Sequence, residues 1–145
     1  MNYFDNIKEI WEAVSIYEGP EVYLRNLKPF PKKLVHVFAV HWLESEVCNG
    51  GFHQFFSNST GIVAPEALQG LHAIGEEDLF TLANEAVSQL GKPFPRDRDE
   101  RNEKLDLLAK KGDKRKDWDP FYHLDSKWYV AHKSLTESIE KYLKA

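Results

Sequence analysis

Lys32-Lys33-Leu34-Val35-His36-Val37-Phe38-Ala39-Val40-His41-Trp42-Leu43-Glu44-Ser45-Glu46-Val47-Cys48 runs straight into Asn49-Gly50-Gly51-Phe52. Leu34, Val35, Val37, Phe38, Val40, Trp42, Leu43 and Val47 cover nearly the whole circumference of a helix, and a helix apolar all round is a buried one. Asn49, Gly50 and Gly51 tolerate positive φ, so the helix stops there in a turn without steric penalty. Phe52, Phe55 and Phe56 then return to the core.

Working outward, the rest of the chain reads as helices separated by glycine and proline. Ile7, Ile10, Trp11, Val14 and Tyr17 recur at three- and four-residue steps on one helical face that ends at Glu18-Gly19-Pro20. A short segment from Val22 to Leu27 precedes Lys28-Pro29-Phe30-Pro31, which forces an extended link because proline fixes its own φ and biases its predecessor away from helix. Beyond a polar loop from Ser57 to Gly61, Pro65 suits a first helical turn, with Leu68, Leu71 and Ile74 inward until Gly75. Glu76, Glu77 and Asp78 sit where the helix dipole favours carboxylates, opening a helix with Leu79, Leu82, Ala83, Ala86, Val87 and Leu90 inward and Gly91 at its close. After Lys92-Pro93-Phe94-Pro95, a charged helix from about Asp97 to Lys111 carries only Leu105, Leu108 and Ala109 as an apolar stripe and belongs on the outside. Asp125 is placed to cap a final helix with Trp128, Ala131, Leu135, Ile139 and Tyr142 on one face. The expectation is all-α: a compact single-domain bundle, residues 1–145, of about six to eight helices around a buried central helix at about residues 32–48. No stretch alternates with period two for long enough to form a strand.

Composition narrows the function classes. At 145 residues, 42% hydrophobic and 13% aromatic, the chain can bury one core and is not a solvated, disordered protein. One cysteine, Cys48, excludes an internal disulfide, the start lacks the order of an export signal, and no apolar run approaches the roughly 20 residues that cross a bilayer, so a cytoplasmic protein without membrane contact is expected. A net charge of −4 argues against direct nucleic-acid binding. The basic stretch from Lys110 to Lys116, with Trp118, Phe121 and Tyr122 nearby, is opposed by Asp113, Asp117 and Asp119 and reads as a solvated loop. Between Ser57 and Gly91 there is no Lys or Arg, while Glu66, Glu76, Glu77, Asp78 and Glu85 all fall there.

Several residues carry chemistry-capable groups. His41, Glu44 and Cys48 share a helical face, with His53 just past the turn, and all are metal-ligand types. Their spacing matches no zinc pattern, so no metal or cofactor is expected. His41 or His53 with Glu46, or Cys48 near the histidines, supplies the parts of acid-base or thiol chemistry, but spacing alone shows no orienting partner or oxyanion site. A pocket beside the turn would draw on His41, Glu44, Asn49, His53, Gln54 and Asn58.

From His41-Trp42-Leu43-Glu44-Ser45-Glu46 through Val47-Cys48-Asn49-Gly50-Gly51-Phe52-His53-Gln54-Phe55-Phe56-Ser57-Asn58, the chain resembles the DNA-mimic protein family of bacteria. The resemblance continues through Ala64-Pro65-Glu66-Ala67-Leu68 and Ala73-Ile74-Gly75 to Pro93-Phe94-Pro95. It implies an all-helical fold and a non-catalytic role, in which surface carboxylates imitate duplex DNA to sequester a DNA-binding regulator. A full duplex mimic needs roughly one charge per 1.7 Å of axis and so far more acid than this chain carries. Only Glu66, Glu76, Glu77, Asp78 and Glu85 supply an acidic face, which a homodimer would double. The first expectation is therefore a protein that binds another protein, such as a DNA-binding regulator, through those carboxylates. Two alternatives stand beside it: a small ligand-binding or enzymatic domain with a pocket at the Asn49–Phe52 turn, and an immunity-type protein that neutralises a toxin.

Overall fold

The computed structural model describes residues 3–111 and 119–145. Among these the chain forms α1 (Phe4–Ala13), α2 (Pro20–Leu27), α3 (Lys32–Ser57), α4 (Ala64–Ile74), α5 (Glu77–Ser88), α6 (Arg98–Lys111), α7 (Tyr122–Ala131) and α8 (Leu135–Lys144), with 3₁₀ turns at Ser59–Val63 and His132–Ser134. No strand occurs among the described residues, and none of their helices is long and apolar enough to cross a membrane. The basic segment at 112–118 lies outside the described residues.

The central helix is where the sequence places it. α3 packs against α1, α4, α6 and α7, and Val37, Phe38, Ala39, Val40, Leu43 and Val47 are buried along it. Helical geometry breaks at Gly50 (φ −153°, ψ 15°) and Gly51 (φ 82°, ψ 177°), then resumes with Phe52, Phe55 and Phe56 fully buried. The turn is therefore a kink between two helical halves. Gly51 occupies a region of backbone space open essentially only to glycine. Its free N-terminal end is held from a distance: the Phe52 N–H donates to Asp125 Oδ1 at 2.8 Å. A Cβ on Gly51 would lie 2.4 Å from Asp125 Oδ2, so the carboxylate fits only against a glycine.

Asp125 thus caps a helix, but not the one the sequence suggested. It lies inside α7, buried, and serves the second half of α3. α7 starts earlier, at Tyr122, with the Asp119 side chain accepting from the Phe121 N–H at 2.9 Å. The anticipated single C-terminal helix is two, α7 and α8, joined by the turn at His132–Ser134.

Two further differences have one cause. The segment from Ser57 to Gly61, read as a polar loop, leads into a turn whose Thr60, Gly61, Ile62 and Val63 are buried. α6, read as an outer helix, sends Arg101 into the interior, where it is fully buried. The last carbonyls of a helix have no intrahelical partners and carry its negative dipole end. Here Arg101 Nε donates to the Phe56 carbonyl and Nη2 to that of Asn58, both at 2.8 Å, while Nη1 donates to the Arg96 carbonyl. Arg98 Nε donates to the Ser57 carbonyl at 2.8 Å, and Thr60 Oγ1 to that of Phe55 at 3.0 Å. Gly61 leaves room for the guanidinium, since a Cβ there would meet Arg101 Nε at 2.5 Å. Burial, and next the neighbouring Arg98, lower the Arg101 pKa to about 10.

At the other end, α1 stops at Ala13 because Val14 turns extended (φ −104°, ψ 119°). That rotates the face: Val14 and Ile16 stay buried, and Tyr17, expected inward, is 74% exposed.

Candidate functional site

The five acidic residues between positions 57 and 91 do not form one face. Glu66 is buried in α4, bidentate to Arg96 with both bonds at 2.8 Å and accepting the Tyr23 hydroxyl at 2.8 Å. It is a structural ion pair joining α2, α4 and the segment before α6, and is removed from any acidic docking surface. Burial pushes the Tyr23 hydroxyl pKa up, with the Glu66 charge adding to it. Glu76 turns back onto the C-terminal region, its Oε1 accepting from Ser134 Oγ at 2.8 Å and Ser138 Oγ at 2.6 Å. Glu77, Asp78 and Glu85 are exposed on α5. Two histidines approach them: His72 Nδ1 lies 3.1 Å from Glu77, and His123 Nε2 lies 3.8 Å from Glu85. Both ion pairs depend on histidine protonation, and neither supplies a permanent cation.

The six residues assigned to a pocket beside the kink lie in separate environments. The His41 ring sits among Tyr3, Phe4 and Trp11, its Nδ1 sharing a 2.6 Å hydrogen bond with the Tyr3 hydroxyl. Burial lowers the His41 pKa, and burial followed by the Glu44 charge pushes Tyr3 up to about 12. Asn49 and His53 are exposed on either side of the kink. Gln54 donates to Glu46 at 2.6 Å. Asn58 lines a cavity of about 250 Å³ with Trp42, Glu46, Ser59 and Arg98. That volume is below the roughly 300–1,000 Å³ usual for small-molecule sites.

Glu44 belongs to another cluster, one the sequence only half reveals. Glu44 and Cys48 are one helical turn apart on α3, and the third member, His132, comes from the turn after α7 rather than from His41 or His53. His132 Nδ1 lies 2.8 Å from Glu44 Oε1 and 3.8 Å from Cys48 Sγ, and the thiol donates to Glu44 Oε1 at 3.4 Å. Tyr129 donates to the Val47 carbonyl at 3.2 Å and so pins the end of α7 against α3. Burial first, then the charge and hydrogen bond of Glu44, push the Cys48 thiol up to about 11, against a smaller opposing pull from Trp128. A thiol so raised is a poor nucleophile at neutral pH. A catalytic relay also needs the two ring nitrogens of histidine to face different partners. Here one nitrogen meets both. The cluster therefore lacks the relay geometry of a Ser-His-Asp-type triad.

An all-helical domain with internal ion pairs and a helix of exposed carboxylates is the class that these features define. Residues 28–145 match the DMP19-like protein family, and the chain belongs to it. This is the DNA-mimic family, and the match extends to the C-terminus, beyond the segment around the kink that carried the resemblance. Neither a curated protein nor a solved structure matches the chain.

Proposed function

We propose that the protein binds a cation-rich surface of a DNA-binding protein through α5, acting by occupancy rather than catalysis. The observation that carries this reading is the exposure of Glu77, Asp78 and Glu85 on a helix inside a segment, 57–91, that has no Lys or Arg. Membership of the DNA-mimic family supports it. α5 has 12 residues, about 18 Å of axis, so three exposed carboxylates amount to roughly one per 6 Å. Duplex DNA presents about one charge per 1.7 Å. α5 is therefore suited to a local patch of Lys and Arg on the partner, not to standing in for a length of duplex.

The test compares the wild-type chain with the triple variant E77Q/D78N/E85Q in affinity capture from native lysate at low and raised salt. A partner should be retained by the wild type, released by competing duplex DNA and by salt, and lost from the variant. Retention of the same partner by the variant, or indifference to duplex DNA, would overturn the proposal.

A further inference from the structure

We propose that Glu44, Cys48 and His132 form a binding site for one zinc-class divalent ion. Three different ligand types, from two helical segments 84 residues apart between cysteine and histidine, converge so that their donor atoms all lie within 4.8 Å of one another. Zinc takes thiolate sulfur at about 2.3 Å and imidazole or carboxylate atoms at about 2.0–2.2 Å. A tetrahedral set with those bonds separates sulfur from nitrogen or oxygen by about 3.6 Å, and nitrogen from oxygen by about 3.3 Å. The distances here are 3.4 Å (Cys48–Glu44), 3.8 Å (Cys48–His132) and 2.8 Å (Glu44–His132). Only the Glu44–His132 pair must open, by about half an ångström, as the ion enters and displaces two protons to solvent, the one shared by Glu44 and His132 Nδ1 and that of the Cys48 thiol.

A second observation points the same way. Glu44 Oε2 is buried and has no hydrogen-bond partner. A buried carboxylate oxygen left unmatched is costly, and a cation on the adjacent Oε1 offsets that cost. The convergence of both neighbours on one nitrogen, which disqualifies a relay, is what a shared ion requires. Thiolate and carboxylate together balance a charge of +2, and exposed Cys48 opens the fourth position to solvent. A thiolate in the set favours zinc over magnesium or calcium, which take oxygen ligands.

Titration of the chelator-stripped chain with Zn²⁺ alone, followed by native mass spectrometry, should give one ion per chain. C48S and H132Q should each weaken binding at least about 100-fold, beyond the 10–100-fold typical of losing a mere supporting contact. Co²⁺ in place of zinc should give a thiolate charge-transfer band that C48S lacks. In the unaltered chain, saturating zinc should slow alkylation of Cys48 by iodoacetamide, a readout independent of whether any variant folds. Zinc that binds C48S and H132Q as tightly as the wild type, or leaves the alkylation rate unchanged, would overturn the site.

Discussion

Replacing Gly51 with alanine should destabilise the protein far more than replacing Gly50. At Gly51 the backbone sits at φ 82°, ψ 177°, and holding a non-glycine residue there costs about 1–3 kcal/mol. The new Cβ would also lie 2.4 Å from Asp125 Oδ2, on the buried carboxylate that accepts the Phe52 N–H. Relieving that contact breaks a charge-assisted hydrogen bond, worth about 1.5–3 kcal/mol. The two effects share one relaxation and do not add fully, so the expected loss is about 3–5 kcal/mol, or roughly 10–15 °C in Tm for a chain of this size. Gly50, at φ −153°, needs no left-handed backbone, and its Cβ would press most closely on the flexible amide end of Gln54, with the Gln54 Cβ at 3.0 Å. G50A should therefore cost about 1 kcal/mol or less, the loss of the Gln54–Glu46 contact included. Urea denaturation of G50A, G51A and D125A, monitored by far-UV circular dichroism, measures all three. Equal midpoints for G50A and G51A, or a G51A loss under about 1 kcal/mol, would refute the account of the kink.

Three other perturbations follow from the same structure. R101M leaves three carbonyls without their donor but relieves a buried charge, for a net loss of about 2–4 kcal/mol in denaturant, and R101K should not restore it because an ammonium cannot reach all three acceptors. E66Q should cost about 2–4 kcal/mol by stranding Arg96, and Y23F only about 1 kcal/mol, an order that thermal denaturation can check. His41 has a folded pKa below its ordinary 6.5, so the unfolded chain binds more protons in the window just under that value. Stability should be level above about pH 7.5 and fall as pH drops through 6.5, and H41N should flatten that slope in denaturation curves taken from pH 5 to 8.

The parts of the fold legible in the sequence are those fixed by neighbours. Gly51 marks the break in α3 because a backbone with positive φ needs glycine whatever packs around it, and Gly75 ends α4 in the left-handed conformation for the same reason. What escaped reading depends on partners far along the chain. Asp125 looks like the cap of its own helix, yet its bond is to Phe52, 73 residues earlier. Arg101 sits in a run of charges that reads as surface, and only the unmatched carbonyls at the end of α3, 45 residues away, explain its burial. Glu66 has the same identity as Glu77 and Glu85, and nothing local reveals that Arg96 and Tyr23 enclose it. His132 was likewise invisible as the companion of Glu44 and Cys48, because the turn that delivers it joins two helices that read as one.

Both ends of the second half of α3 are fastened by residues made much later in synthesis: Asp125 at the kink and Arg101 at the carbonyl end. While the ribosome is still adding residues before position 101, neither fastening exists, and Phe52 lacks Phe121 and Trp128, and Phe56 lacks Phe121, to pack against. The aromatic centre of the molecule is thus completed only once α7 has been synthesised. Chains that stop short of residue 128 should carry that centre incompletely covered, the kind of exposed apolar surface that makes folding intermediates prone to aggregate.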